Sequence, residues 1–390
     1  MANLLVFQSG GPTAVLNASL SGIIRANRKR SSAVYGSRRG LLGALTGELR
    51  DLSDLSDAAL LRLRQTPSAA LGTSRFRPDD DQLDAIISRL AELDISAVVA
   101  IGGNDTADTA ARLERRAREH GRALQVIGIP KTIDNDLAQT DHCLGYPSAA
   151  RCLAAIARDA TIDSLATATL YPVKVIEVMG RNAGWLAAAC SLAIPEGLPR
   201  PLTVLSERPF DSPDDLRAAI RERVERDDFA LVIVPETARW SDGTAFGGTE
   251  PEYVDAFGHP YYPSSGQAVV RLVSGEIGAR ARLDRPGTFT RSAMDFVSPL
   301  DLDEAERCGE AAVEAIASGK SGQCIIIERC SSEPYTSTTR LAPLEAIANV
   351  ERTMPDEMLG APGEPPTTAF FDYALPLIGE LDREYEILDW

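Results

Sequence analysis

Two α/β domains, each a mostly parallel sheet between layers of helix, are what this sequence predicts, and three observations predict them. Short apolar runs rich in β-branched residues recur at 4–7, 97–101, 126–129, 173–178, 202–205, 230–234 and 324–327. Between most of them lie stretches with apolar residues near a 3.6 spacing, at 82–93, 107–120, 214–226 and 303–318. Strand alternating with helix is the pattern of a parallel sheet covered on both faces. The third observation is size: 390 residues, 44% of them hydrophobic and 25% charged, exceed one usual domain of about 100 to 200 residues and supply ample core.

Ligands of such sheets bind beyond the carboxyl ends of the strands, so the chemistry is sought there. The first strand runs into Ser9-Gly10-Gly11-Pro12-Thr13 and then a helical stretch at 14–26. Two glycines let backbone approach an oxyanion closely, and a helix N-terminus offers free N–H groups and partial positive charge. The loop reads as a phosphate cradle, with a plain strand-to-helix turn as the alternative. A second loop of the same kind, Gly102-Gly103-Asn104-Asp105-Thr106, follows the next strand, with Asp105 or Thr106 placed to cap the helix after it.

The third strand end, Pro130-Lys131-Thr132-Ile133-Asp134-Asn135-Asp136, carries the sharpest chemistry. Asp134 and Asp136 are two apart, so on an extended segment both carboxylates face one way, one available as a base and one for a metal. Lys131 adds a compact positive charge. Carboxylate, ammonium and hydroxyl so close together suit phosphoryl transfer, in which the protein positions the nucleophile and neutralises developing charge. A solvated turn around the Asx residues is the competing account.

A fourth strand end adds Met179-Gly180-Arg181-Asn182-Ala183-Gly184 before a helical 185–192, where Arg181 can hold an anion. Later strands end at Glu207 and Glu236, each suited to accept hydrogen bonds from sugar hydroxyls or to act as an exposed cap. Arg282 and Arg291 flank Asp284-Arg285-Pro286-Gly287-Thr288, a turn that would bring two guanidiniums to one phosphate.

Charge narrows the function classes. Lys and Arg number 40 against 56 Asp and Glu, a net charge of −16, so no broad basic face exists for nucleic acid or anionic lipid, and neither nucleic acid nor membrane is an expected partner. The six cysteines contain no CxxC pair, which reads as a reduced, cytoplasmic protein. His120, His142 and His259 lack metal-binding spacing. The apolar run at 1–7 is too short for a signal peptide or a span. Gly319-Lys320-Ser321 resembles the end of a P-loop, but the required earlier glycine is Glu314. Gly and Pro thicken at 242–266 and 360–366, as in loops or domain crossings, and the tail at 370–381 is apolar enough to pack.

Taken in order, SGGPTAVLNASLSG (9–22), LGTSRF (71–76), IGGNDT (101–106), PKTIDND (130–136), EVMGRNAGWLA (177–187), SERPF (206–210), VPE (234–236) and RLDRPGTFTR (282–291) cover most of the chain. Together they resemble the phosphofructokinases, enzymes that phosphorylate fructose 6-phosphate at its 1-hydroxyl. TIDND with MGR is the specific part, whereas VPE and the glycine pairs are weak singly. The resemblance implies two Rossmann-like three-layer α/β/α domains with mostly parallel sheets and an active site in the cleft between them. Residues 1–148 plus about 290–340 would bind the phosphoryl donor, and about 149–289 plus about 341–390 the sugar phosphate.

The resemblance also implies roles. Asp134 would be the base for the sugar 1-hydroxyl, with Lys131 and Thr132 beside it. Gly11, Arg75, Asn104 and Asp105 would face the donor. Thr132, Asp134, Met179, Gly180, Arg181, Glu236, Arg282 and Arg291 would hold fructose 6-phosphate. Mg2+ is the implied cofactor, through Asp105, Asp136 and Asn104. Because the family commonly completes the sugar site from a neighbouring subunit, a homodimer or homotetramer is expected.

ATP-using members usually show GGDG and PGTIDND, and pyrophosphate-using members an acidic residue in the first motif and Lys in the second. This chain has Asp105 and Lys131, and GGPT near the start, so the expected donor is pyrophosphate and the reaction reversible. A carboxylate where the α-phosphate of ATP would lie repels it by about 4 kcal/mol at about 4 Å and an effective dielectric of about 20. Two positions depart from the family pattern. Asn104 replaces an Asp common at that position, and a neutral amide binds magnesium more weakly than a carboxylate. Thr288 stands where bacterial ATP-type members have His. An ATP-dependent phosphofructokinase and a non-catalytic sugar-phosphate-binding regulatory subunit are the alternatives, and the presence of Asp134 speaks against the second.

Overall fold

The computed structural model describes residues 3–30, 32–254, 258, 260–277, 279–381, 383 and 385–388. His259 and part of the 242–266 stretch lie outside the described residues. The chain divides into two compact units, Met1–Ser148 with Arg291–Arg352, and Ala149–Thr290 with Thr353–Trp390. Residues 341–352 thus belong to the first unit, where the sequence reading gave them to the second. Strand pairing holds residues up to 343 in the first unit, and Leu344 and Ile347 are buried in one of that unit's cores.

Up to Ser148 the chain forms β1 (Asn3–Gln8), β2 (Val34–Ser37), β3 (Leu49–Asp51), β4 (Ile95–Gly102), β5 (Gln125–Thr132) and β6 (Leu144–Gly145). Residues 149–290 add β7 (Val173–Val178), β8 (Leu202–Thr203), β9 (Ala230–Pro235), β10 (Tyr253–Val254), β11 (Pro260–Tyr261) and β12 (Ala281–Asp284). The chain then returns with β13 (Gln323–Ser332) and β14 (Tyr335–Pro343).

Among the described residues the first unit's sheet has the order β14-β13-β5-β4-β1-β2-β3, with β6 beside β5. Its interior pairs are parallel, and the edge pairs β2–β3 and β13–β14 are antiparallel. Because β14 returns along β13 as far as the Gln323–Pro343 pair, the chain up to that point stays with this sheet. The period of two in β1 decides its two faces. Leu4 and Val6 enter one core with Leu16, Leu20, Ile23 and helix residues 302–316, whereas Leu5 and Phe7 enter the other with Leu83, Ile86, Leu90 and Leu113. Each such fully buried branched side chain contributes about 1.5–3 kcal/mol.

Helix starts follow local chemistry more than apolar spacing. The helix expected at 82–93 is Asp80–Glu92, because Asp79 accepts from Gln82 N (2.8 Å) while Gln82 accepts from Asp79 N (3.0 Å), a reciprocal cap. The helix expected at 303–318 is Pro299–Ala317, started by the Ser298 cap and a proline in its first turn.

The second unit's main sheet is wholly parallel, in the order β12-β7-β9-β8, and β10–β11 form a separate antiparallel pair. Val173, Val175, Val232 and Val234 pack against Leu216, Ile220, Phe246 and Val269. The tail helix Thr368–Ile378 buries Phe370, Ala374, Leu377 and Ile378, as its apolar composition requires. Among the described residues no helix is long and apolar enough to cross a membrane.

Candidate active site

In the first unit three loops leave the carboxyl ends of adjacent parallel strands, since β1 pairs β4 at Gln8–Ile101 and β4 pairs β5 at Gly102–Pro130. The first loop turns at Gly10, whose φ of 75° suits glycine. Lys131, buried at the end of β5, donates from Nζ to the carbonyl oxygens of Ser9 (2.9 Å) and Gly11 (2.6 Å). Thr73 Oγ1 donates to Gly10 O (2.7 Å), which draws the 71–76 segment and Arg75 to the same loop. Arg291 also lies here: a Cβ built on Gly11 would stand 3.3 Å from its Nη1. The following helix is Leu16–Asn27, two residues later than the expected start at Ala14, and its cap residue Val15 offers no side-chain bond.

The second loop is tighter than its sequence suggests. Its helix, Asn104–Glu119, starts directly after the cap residue Gly103, so Asp105 and Thr106 sit within the first turn and neither is the cap. Asn104, with its amide oriented to satisfy both ends, donates to the carbonyl oxygens of Ile347 (2.7 Å) and Val350 (3.3 Å).

The third loop preserves the common side of its carboxylates but not an extended backbone. Thr132, Asp134 and Asp136 are half-buried while Lys131, Ile133, Asn135 and Leu137 are buried. Yet β5 ends at Thr132, and Asn135 adopts φ 56°, a left-handed conformation that Asn tolerates better than most residues. Asp134 N donates to Thr132 Oγ1 (3.1 Å), and Asn135 Oδ1 accepts from Cys143 N (2.9 Å).

Electrostatics within this loop are strongly coupled. Burial lowers the Lys131 pKa to about 8, helped by the Arg291 charge and opposed by Asp134 and Asp136. Burial pushes the Asp136 carboxyl up to about 7, and the nearby Asp134 and Glu351 charges add to the shift. A partly buried carboxylate crowded by like charges is a group that a hard divalent cation relieves, and Asp105 on the adjacent loop carries a second carboxylate. Among the described residues no three His, Cys, Asp or Glu side chains converge as a cation cage.

In the second unit Met179, Gly180 and Arg181 follow β7, and Glu236 follows the adjacent β9, with Glu236 N donating to Val178 O (2.8 Å). Gly180 takes φ 124°, which glycine alone adopts readily. Thr237 Oγ1 donates to the carbonyl oxygens of Gly180 (3.2 Å) and Arg181. Arg181 Nη2 donates to the Tyr261 hydroxyl (2.7 Å) and its guanidinium lies over that ring at 5.4 Å. Glu207 accepts from Gly184 N (3.0 Å) and Met354 N (2.9 Å), so it is half-buried on backbone N–H groups and is not an exposed cap.

The two arginines expected on one phosphate belong to different units. Arg282 lies on the exposed side of edge strand β12, paired in register with Lys174 near the start of β7 and stacked over Tyr171 at 5.0 Å. Met179 to Arg181 follow the opposite end of β7. Arg291 belongs to the first unit, beside Gly11. Sequence reasoning did not reach Tyr261 and Thr237, which bond Arg181 and the Gly180 carbonyl, nor Arg352, whose Nη2 donates to Asn135 O (2.9 Å) in the third loop. Tyr261 sat in a stretch read only as loop, and Arg352 carried no local signal at all.

The phosphofructokinase family model matches residues 3–316. A pyrophosphate–fructose 6-phosphate 1-phosphotransferase of Xanthomonas campestris is 38% identical over 98% of this chain and 93% of its own length. One of the same description from Halomonas elongata is 36% identical over 96% of this chain and 91% of its own length. The crystal structure of a pyrophosphate-dependent phosphofructokinase from Nitrosospira multiformis superposes with a TM-score of 0.88 at 34% identity, covering 99% of this chain and 94% of that one. With three strand-end loops that match the family's motifs and a family match over most of its length, the chain belongs to the phosphofructokinase family.

Proposed function

We propose that the protein transfers a phosphoryl group from pyrophosphate to the 1-hydroxyl of D-fructose 6-phosphate, giving fructose 1,6-bisphosphate and phosphate, reversibly. The observation that carries this reading is the meeting of Lys131 with the first glycine loop at the strand ends that also bear Asp105, Asp134 and Asp136. The full-length likeness to proteins described as pyrophosphate-dependent supports the choice of donor.

Asp134 takes the proton of the 1-hydroxyl as the oxygen attacks phosphorus. Thr132 Oγ1, which accepts from Asp134 N, fixes the start of that loop. Gly11, Arg75, Asp105 and Arg291 face the donor, and Arg291 and Lys131 supply positive charge against its phosphates. Met179, Gly180, Arg181 and Glu236 hold the sugar phosphate. Arg282, exposed on an edge strand, serves that ligand from a surface open to a second copy of the chain, consistent with a homodimer or homotetramer. Magnesium, held through Asp105 and Asp136, would supply charge neutralisation on the phosphate oxygens. Asn104 supports the loop instead, because its amide is turned to Ile347 and Val350.

Initial rates with fructose 6-phosphate and magnesium, supplied with pyrophosphate or with ATP, test the reading. Turnover with pyrophosphate and none with ATP is expected. Turnover with ATP alone would overturn the donor assignment while leaving Asp134 in place.

A further inference from the structure

The segment Ile347–Arg352 lies beyond the family match, which ends at residue 316, yet it touches two of the three loops described above. Its carbonyls at Ile347 and Val350 accept from Asn104, the first residue of the helix that bears Asp105. Leu137 and Glu351 form an isolated antiparallel bridge. Arg352 then fans its guanidinium over the backbone of the Asp134–Asp136 loop and its continuation. Nη2 and Nε donate to Asn135 O (2.9 and 3.3 Å), and Nη1 to Thr140 O (2.6 Å) and Asp141 O (2.7 Å). Its own backbone N–H donates to Asp136 O (2.7 Å).

We infer that Arg352 is a positioning residue for phosphoryl transfer: it holds the backbone that carries Asp134 and Asp136 in its left-handed turn, and through Ile347–Arg352 ties that loop to the Asp105 loop. The inference rests on the phosphoryl transfer proposed for this loop. A planar guanidinium can serve several carbonyl oxygens in one plane, whereas an ammonium cannot reproduce that fan. Asn135 sits at φ 56° between the two carboxylates, so releasing its carbonyl frees the turn on which both depend. The demand is strict, because a misplacement of about 1 Å costs about a hundredfold in rate.

The test compares Arg352→Ala, Arg352→Lys and Asp134→Ser in the magnesium-loaded enzyme with pyrophosphate and fructose 6-phosphate. For Arg352→Ala, kcat should fall about a hundredfold while both KM values stay within about threefold, and added guanidinium should restore part of the rate. Arg352→Lys keeps the charge and should remain folded, yet should still lose at least about tenfold in kcat. A kcat near the parent value in either variant, a loss confined to KM, full recovery with Lys, or an Arg352→Lys protein that does not fold would each overturn the inference. An active Asp134→Ser enzyme beside slow Arg352 variants would remove the base assignment and leave the positioning role. An inactive Asp134→Ser beside fully active Arg352 variants would do the reverse.

Discussion

The ammonium of Lys131 lies 2.6 Å from the carbonyl oxygen of Gly11, and its second bond goes to Ser9 O at 2.9 Å. A lysine read from sequence as a charge for the phosphates is thus also a clamp on the first glycine loop. Lys131→Met should leave two loop carbonyls without their charged donor, at about 1.5–3 kcal/mol for each such bond. Denaturant unfolding should show the lower midpoint, together with a raised KM for pyrophosphate. An unchanged midpoint would mean that the clamp contributes nothing to the fold.

Replacing the base should separate chemistry from binding. Asp134→Ser is expected to lower kcat by about a hundredfold to ten-thousandfold while calorimetry still finds fructose 6-phosphate bound. Retained turnover would remove Asp134 from the base role.

Donor choice should respond to Asp105 more cleanly than to Lys131. Asp105→Gly removes a carboxylate whose repulsion of an α-phosphate is about 4 kcal/mol at an effective dielectric of about 20, so ATP-dependent turnover should appear. Lys131→Gly should lose activity with both donors, since it also releases Ser9 and Gly11. Absence of any ATP activity in Asp105→Gly would refute charge exclusion as the gate.

Tyr261→Phe should weaken the sugar phosphate without slowing the chemical step. The hydroxyl that steadies Arg181 is lost and the ring beneath the guanidinium remains. A net hydrogen bond of about 1 kcal/mol corresponds to about a fivefold rise in KM for fructose 6-phosphate at constant kcat. A fall in kcat with KM unchanged would contradict this account.

His142 predicts a pH dependence of stability. Its Nδ1 is 2.9 Å from Asp141 and its Nε2 2.6 Å from Glu304, and Arg329 donates to the Asp141 carboxylate while Tyr335 donates to that of Glu304. Burial alone would lower its pKa, but the hydrogen bonds to Asp141 and Glu304 outweigh it and raise it from 6.5 to about 9. The folded state therefore keeps a proton that the unfolded chain releases. The stabilisation is complete below about pH 6.5 and is lost as pH rises through about 9, by up to about 3 kcal/mol. Lys131, lowered to about 8, gives the opposite slope in any variant that retains it, so the difference between the parent and His142→Gln isolates the histidine. Parallel stability curves for the two proteins would show that His142 carries no extra proton.

The parallel sheets and the three strand-end loops were legible in the sequence because each depends on near neighbours. Alternation in Leu4, Leu5, Val6 and Phe7 selects two cores, and strand, glycine pair and helix follow within a few residues. The position of Arg291 beside Gly11 and the backbone turn at Asn135 were not legible, since each depends on chain brought back from elsewhere. The sequence by itself determined which strand ends carry Asp105, Lys131, Asp134 and Arg181. Only the tertiary structure decided that Lys131 spends two N–H groups on the first loop, that Asn104 turns away to Ile347, and that Arg352, 217 residues from Asn135, holds the turn between the two aspartates. Hydrogen bonds between segments so far apart follow from where the sheet returns the chain, and a local pattern of residue types carries no record of that return.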